Sequence, residues 1–211
     1  KGKPGEIITF NFLEKNFEKL VITGLGPKEK LIVDDLREAT ALGSRSSLGF
    51  KDTLGVILPW EGFNLENAYK AVAEAARLSI FKDLRFVSSH EPHSKPKNLE
   101  LIGPNISTTG IFDLVYSTCK GVELARELVG APANQLTPAL LADTASKIAK
   151  EHNLHLKILE KEECKKLGMG AYLAVSQGSD LDPKFIHLTY KPNQKAKRKL
   201  AIVGKGLTFD S

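Results

Sequence analysis

The 211-residue sequence predicts an α/β fold with a mixed, largely parallel sheet, and three observations predict it. Short apolar runs recur along the chain, at Leu20–Thr23, Gly55–Pro59, Asn98–Ile102, Leu154–Leu159, Phe185–Tyr190 and Leu200–Val203. Segments with apolar residues at helical spacing lie between them. Clusters of Gly, Pro, Asn and Ser punctuate the two kinds of segment. Strands that alternate with helices of this length pair mostly in parallel, because each helix carries the chain back across the sheet.

Taken in order, Leu20–Thr23 reads as a strand closed by Gly24-Leu-Gly-Pro27. Ile32, Leu36 and Ala39 recur at helical spacing between Lys28 and Leu42, and Gly43-Ser-Arg-Ser-Ser47 ends that helix. Gly55–Pro59 is a second strand. Asn64 to Phe81 is a helix whose Leu65, Ala68, Val72, Ala75, Ala76 and Ser79 form a small-residue face suited to close packing. Ser88 to Asn98 is an exposed loop, and Asn98–Ile102 a third strand. Asn105 is read as the cap of a long helix to Val129, with Ile111, Leu114, Val115, Val122, Ala125 and Leu128 inward. Gly110 and Gly121 each lower its helicity by about 1 kcal/mol relative to Ala, which close packing would explain.

Gly130 to Pro138 is a connector and marks the domain boundary, with the long helix as strut. Thr137-Pro138 opens the next helix as cap and first-turn pair, to about Glu151. Leu154–Leu159 is a strand, Glu160–Leu167 a short helix stopped by Gly168, and Phe185–Tyr190 and Leu200–Val203 are strands. The division is residues 1–104 as an N-terminal α/β domain, 105–133 as linker helix and connector, and 134–211 as the start of a second α/β domain.

The composition is ordinary for a globular protein, at 42% hydrophobic and 26% charged. No apolar stretch approaches the roughly 20 residues that span a bilayer, so no membrane partner is expected. The chain opens Lys1-Gly-Lys-Pro-Gly5 without methionine, so the native N-terminus and any targeting segment are expected upstream. Cys119 and Cys164 do not make a disulfide framework. They read as small packing residues in a reducing compartment. The net charge is +5, and Lys191, Lys195, Lys197, Arg198 and Lys199 lie in one stretch. No aromatic residue interleaves with them, so the stretch reads as a solvated loop, with nucleic acid as the rival partner.

Most chemistry-bearing residues read as bland. His90 and His93 sit in a Pro-rich loop without a further ligand. His152 and His155 straddle a helix end and a strand start, as surface residues, and His187 alternates with apolar neighbours as a half-buried strand residue. Gly24-Leu-Gly26 follows a strand, as a dinucleotide fingerprint would, but Glu29 stands where the third glycine belongs, so these are turn glycines.

Gly204-Lys205-Gly206 differs because Asp210 follows, and functional groups gather at the carboxyl ends of strands in such sheets. Two readings are open: a salt bridge at a strand edge, or two ligands on the rim of a metal site. A lysine ligates only as the neutral amine. With an ordinary pKa near 10.4, losing the proton at pH 7 costs about 4.6 kcal/mol. Complete zinc sites supply on the order of 10–16 kcal/mol, so a divalent ion can meet that cost.

The string Val203-Gly-Lys-Gly-Leu-Thr-Phe-Asp-Ser211 resembles the active-site opening of the leucyl (cytosol) aminopeptidase family, its plant and cyanobacterial members above all. Glu123 to Pro138 is similar to the family's linker helix and the entry to its peptidase domain. Lys166 to Gly178 and Phe185 to Pro192 are similar to that domain's first elements. The resemblance implies a macro-domain-like N-terminal domain whose start is missing, and a truncated metallopeptidase domain. It implies an enzyme that releases N-terminal residues, leucine among them, from peptide substrates through a two-metal-activated hydroxide. The ions would be zinc or manganese, or else magnesium or cobalt, with bicarbonate as base. Lys205 would bind one metal and Asp210 would be shared by both. The family's catalytic lysine, later carboxylate ligands and bicarbonate-binding arginine fall outside residues 1–211. No catalytic residue is therefore assigned here, and the chain alone is expected to be inactive. A cytoplasmic homo-hexamer is implied, or a plastid one if the plant resemblance governs. The rival of another class is a non-catalytic module binding nucleic acid or a nucleotide-type ligand. A third reading is a structural fragment whose bare sheet edge would aggregate.

Overall fold

The structure, a computed structural model, describes residues 2–12, 17–50, 52–88, 94–107, 109–195 and 197–208. The chain divides into two compact units, Lys1–Gly130 and Ala131–Ser211. Each is α/β, and among the described strands the pairing is mixed.

In the first unit, β1 (Ile7–Asn11) pairs antiparallel with β2 (Lys19–Thr23), from Ile7 opposite Thr23 to Asn11 opposite Lys19. Helix α1 (Val33–Arg45) packs on β2. It covers the face that bears Val21 and Thr23, and Lys19 Nζ donates to Ser46 O at 2.7 Å. Ile8 with Ile22, and Phe10 with Leu20, form cross-strand pairs on the other face and stay exposed.

β3 (Thr53–Ile57) and β4 (Asn98–Ile102) pair in parallel, Thr53 opposite Asn98 through Ile57 opposite Ile102. A parallel pair needs a crossover, and α2 (Leu65–Ser79) provides it. Asn64 caps α2 by accepting from the Asn67 N–H at 3.0 Å. Ala68, Tyr69, Ala71, Val72, Ala73 and Ala76 are all buried, because α1, β4 and α3 (Ile111–Gly130) pack around this one helix. Leu36, Trp60, Ala68, Tyr69 and Val72 form one cluster with Val56 and Leu101 of the sheet against it. Ala73, Val115 and Cys119 form another, against Leu99 and Leu101.

Charged bridges tie the helices together. Arg37 Nη1 of α1 reaches Glu74 Oε2 of α2 at 2.7 Å. Arg77 grips Glu123 of α3 with two parallel bonds of 2.8 and 2.7 Å, and Arg126 Nη1 donates to Leu78 O at 2.7 Å. Beyond the strands, Trp60 Nε1 donates to Ile102 O at 2.8 Å and Tyr69 OH to Pro104 O at 2.7 Å. Their rings stack with centroids 4.5 Å apart. The indole occupies the space a side chain on Gly103 would need, since a Cβ there would lie 2.0 Å from Trp60 Nε1.

In the second unit, α4 (Pro138–Glu151) opens at Thr137, whose Oγ1 accepts from the Leu140 N–H at 3.2 Å, with Pro138 in the first turn as the sequence predicts. Asn153 (φ 51°) turns the chain into β5 (His155–Leu159). α5 (Lys161–Lys166) ends in a Schellman arrangement, with the Met169 N–H on Cys164 O and the Gly168 N–H on Lys165 O, both at 3.0 Å. α6 (Gly170–Val175) follows, and β6 (Phe185–Thr189) returns antiparallel to β5, His155 opposite Thr189 through Leu159 opposite Phe185. α4 packs on both strands through Ala142, Ala145 and Ala149.

Several elements depart from the sequence reading. Asn105 does not cap α3. The helix starts at Ile111, and Gly110, at φ 77°, offers its carbonyl to the Leu114 N–H. The buried stripe is Ile111, Val115 and Cys119, on the i, i+4 line, whereas Leu114 and Ala125 are exposed. Gly121 has open space where a Cβ would stand, so close packing does not account for it. His187 is exposed rather than half-buried, since it shares a polar face with Lys157 directly across the pair. Residues 200–203 belong to no described strand. β1 and α6 are additions.

Two outcomes follow for stability in denaturant. Gly103→Ala is expected to cost about 1–3 kcal/mol through collision with Trp60, whereas Gly121→Ala is expected to add about 0.5–1 kcal/mol. Equal effects would contradict this packing. The second concerns acid. Arg77 holds the Glu123 carboxyl below its usual value, through the side-chain bond first and charge attraction after burial's opposing effect. A depressed carboxyl stabilises above its unfolded pKa, near 4.3, and the contribution fades as pH falls through the lower folded value. Glu123→Gln is therefore expected to weaken the fold at pH 7 by about 1–2 kcal/mol and to flatten the stability profile below about pH 4.3. An unchanged acid slope would count against the pair.

Candidate functional site

The second unit holds its C-terminal segment against α4. A Cβ on Gly206 would lie 3.8 Å from Leu141 Cδ2, so the Gly204-Lys205-Gly206 segment passes within van der Waals reach of that helix. Sequence reasoning did not mark Leu141, because nothing local distinguishes it from the other leucines of α4. Before Gly204, Leu200, Ile202 and Val203 are 87, 88 and 95% exposed. An apolar run becomes a strand only where a neighbour offers its edge, and no described strand does so here.

Lys205 stands between the two glycines and is exposed. Asp210 lies outside the described residues, so the pairing of these two rests on sequence. Among the described residues no group of three or more His, Cys, Asp or Glu could hold a metal ion. The donor set itself, an amine and a carboxylate, suits a divalent ion such as zinc or manganese and fills only part of a coordination shell.

The remaining candidates separate cleanly. His90 and His93 lie outside the described residues. His152 and His155 are exposed surface residues. Gly24 and Gly26 cradle the chain itself. The Gly24 N–H donates to Glu6 O at 2.8 Å and the Gly26 N–H to Gly2 O at 3.1 Å, while a Cβ on Gly24 would meet Lys3 O at 2.1 Å. They serve close backbone approach and no phosphate. Past the carboxyl end of β3, two open concavities of about 590 Å³ each share Pro59, Glu61 and Phe63. Lys28 Nζ reaches Glu61 Oε2 across their rim at 2.9 Å. No helix among the described residues is long and apolar enough to cross a membrane.

Two α/β units in series, with the candidate ligands after the last strand of the second, define a two-part α/β protein. The chain belongs to the cytosol aminopeptidase family. The family model of the N-terminal domain matches residues 1–90 and that of the catalytic domain residues 123–211. Two proteins named "Probable cytosol aminopeptidase", from two strains of Prochlorococcus marinus, are 58% and 57% identical over 210 and 211 residues. A Synechococcus protein of the same name is 47% identical over 212 residues. Each match covers 100% of this chain and only 42 or 43% of the relative, so the chain spans less than half the length of the relatives it matches. Among solved structures, a tomato leucine aminopeptidase mutant matches with TM-score 0.82 and 31% identity, over 92% of this chain and 40% of that one. The bottromycin maturation enzyme BotP in complex with Mn matches with TM-score 0.77 and 25% identity, over 90% and 40%.

Both cysteines are fully buried, and burial, the largest cause, pushes each thiol above its usual value. Neither is poised as a nucleophile. A thiol reagent at pH 8 is expected to label both only as the protein unfolds. Prompt labelling of the native chain would contradict their burial.

Proposed function

We propose that the whole protein is a metal-dependent aminopeptidase that releases N-terminal amino acids, leucine among them, from peptides. The observation that carries the reading is the Val203–Ser211 string, lying at the end of a segment matched by the family's catalytic-domain model. The likeness of the fold to a leucine aminopeptidase supports it, and the manganese complex of BotP supports a divalent cofactor.

In this reading, residues 1–104 form the N-terminal domain, 105–133 the linker and 134–211 the opening of the metallopeptidase domain. Lys205 would hold one of two divalent ions, and Asp210 would be shared by both. Zinc and manganese suit these donors, with magnesium or cobalt as substitutes. When bound, such ions polarise the scissile carbonyl and lower the pKa of water. What this chain contributes is position. Gly204 and Gly206 carry no side chain, so the backbone can approach the site, and Leu141 lies behind Gly206. The remaining ligands, the catalytic lysine and the bicarbonate-binding arginine belong to the family's sequence after this motif. The 211-residue chain by itself is therefore inactive in this reading, while the whole enzyme is a cytoplasmic homo-hexamer, or a plastid one if the plant resemblance governs.

Lys205→Arg in the whole protein separates ligand from salt bridge. Arginine keeps the charge and an ion pair with Asp210 but cannot shed a proton to ligate a metal. Hydrolysis of a leucyl anilide is expected to fall by at least about a thousandfold, as from loss of a group acting on the reacting centre, with bound metal reduced and folding retained. Activity within a few-fold of the parent would overturn the assignment of Lys205. Robust hydrolysis by the pure 211-residue chain would overturn the expectation that it is inactive alone.

A further inference from the structure

The first unit carries a surface that the peptidase reading leaves unused, past the carboxyl end of its parallel pair. In open α/β sheets this is where ligands enter. Two concavities of about 590 Å³ each adjoin there along Pro59, Glu61 and Phe63. That size suits a small organic ligand. Their linings differ in chemistry.

One concavity is apolar, lined by Leu58, Trp60, Phe63, Leu65 and Pro104. Leu58, Phe63 and Leu65 are half-buried, and Trp60 is held by its bond to Ile102 O and its stack on Tyr69. The floor is therefore preformed, and little has to be ordered when a ligand settles on it. The other concavity is charged, with Lys28, Glu29 and Glu61 in its lining. Two acids against one base disfavour a phosphate or any other simple anion.

The link between the two is the Lys28–Glu61 pair. Nζ and Oε2 lie 2.9 Å apart, and the side chains are 69 and 85% exposed. Their hydrogen bond first, and charge attraction second, raise the ammonium and depress the carboxyl from their usual values, so both are ionised at neutral pH. An exposed pair of this kind adds little to stability. An ammonium has three donors and a carboxylate several acceptor sites, so their mutual bond leaves both with capacity for a ligand. The ammonium nitrogen and nearer carboxylate oxygen of an α-amino acid are also about 3 Å apart, from standard bond lengths. Set head to tail on Lys28 and Glu61, such a zwitterion puts every charge beside an opposite one. Its side chain can then cross Phe63 into the apolar concavity. We propose that this surface binds a free α-amino acid with an apolar side chain, its carboxylate on Lys28, its ammonium on Glu61 and its side chain beside Phe63 and Leu65. The proposed peptidase would release molecules of this class, but the assignment rests on the surface and is independent of that reading.

The test is titration of the full chain with L-leucine at neutral pH, read by tryptophan emission and by calorimetry. Trp60 is the only tryptophan and lines the apolar concavity, so its emission reports on this surface. Saturable binding is expected, with a Kd of about 1 mM. Glycine, isopentylamine and 4-methylpentanoate lack the side chain, the carboxylate and the ammonium in turn, and each is expected to bind at least about tenfold more weakly. Lys28→Gln and Glu61→Gln are expected to weaken leucine binding by a similar factor. Lys30→Gln, exposed nearby but outside both linings, is expected to leave it unchanged. Neither emission change nor heat up to about 20 mM leucine would overturn the proposal. So would either singly charged analogue binding as tightly as leucine, or equal effects of the Glu61 and Lys30 variants. The analogue series in the unmodified chain decides the matter even if a variant folds poorly. Failure of the Lys205 assignment would leave these outcomes unchanged, since Lys205 belongs to the other unit.

Discussion

How closely two helices can approach α2 is the constraint on which the first unit depends. α2 is enclosed by α1, α3 and β4, and it meets them largely through Ala68, Ala71, Ala73 and Ala76. A helix surrounded in this way buries a wide face and keeps a narrow polar one, on which Glu66 and Asn67 stay exposed. Small side chains let the neighbours close on it from different directions, and polar bridges then form where the helices emerge. Arg37 with Glu74 and Arg77 with Glu123 both sit at such margins, each joining α2 to a different neighbour. The alanines set the distance and the arginines span it. Enlarging one of the alanines would disturb both core clusters, because they share this helix.

The carboxyl end of the parallel pair is fixed by a second device. Trp60 follows β3 and bonds to the last residue of β4, while Tyr69 reaches from α2 to Pro104 just beyond it. The stacked rings thus brace the place where, in open α/β sheets, a ligand crevice forms. Here the indole lines one of the two open concavities at that end. The candidate chemistry of this chain lies in its other unit, after the last strand. One α/β pattern is used once for a packed scaffold and once to carry candidate ligands.

Local order was legible in the sequence wherever it depends on neighbours along the chain. The β4 residues follow from a bounded apolar run, and the Thr137 cap from its hydroxyl beside Pro138. The failures have two causes, a local glycine turn in one case and dependence on a distant partner in the others. Asn105 has good capping chemistry, but the chain turns into α3 only where Gly110 takes a positive φ. His187 alternates with apolar residues, yet its exposure is decided by Lys157 on the other strand. Leu200 to Val203 have strand composition without a described edge to join. For Lys205 and Asp210, spacing left salt bridge and metal ligand equally open, and only the resemblance of the surrounding string tipped the balance. A coordination shell is assembled by the fold from remote residues, and two of its members do not define it.

The Trp60–Tyr69 stack has an optical consequence. Trp60 is the only tryptophan in the chain, and it is 7% exposed, against a ring, with its N–H bonded to a carbonyl. Its emission belongs to a dry, rigid environment and shifts to the red when water reaches the indole. Because the second unit has no tryptophan, that colour reports the first unit alone. Tyr172 and Tyr190 are the aromatic chromophores with a hydroxyl in the second unit. Tyrosine emission mixes the two units, since Tyr69 and Tyr116 lie in the first, but the indole follows the melting of the first unit by itself without an added probe.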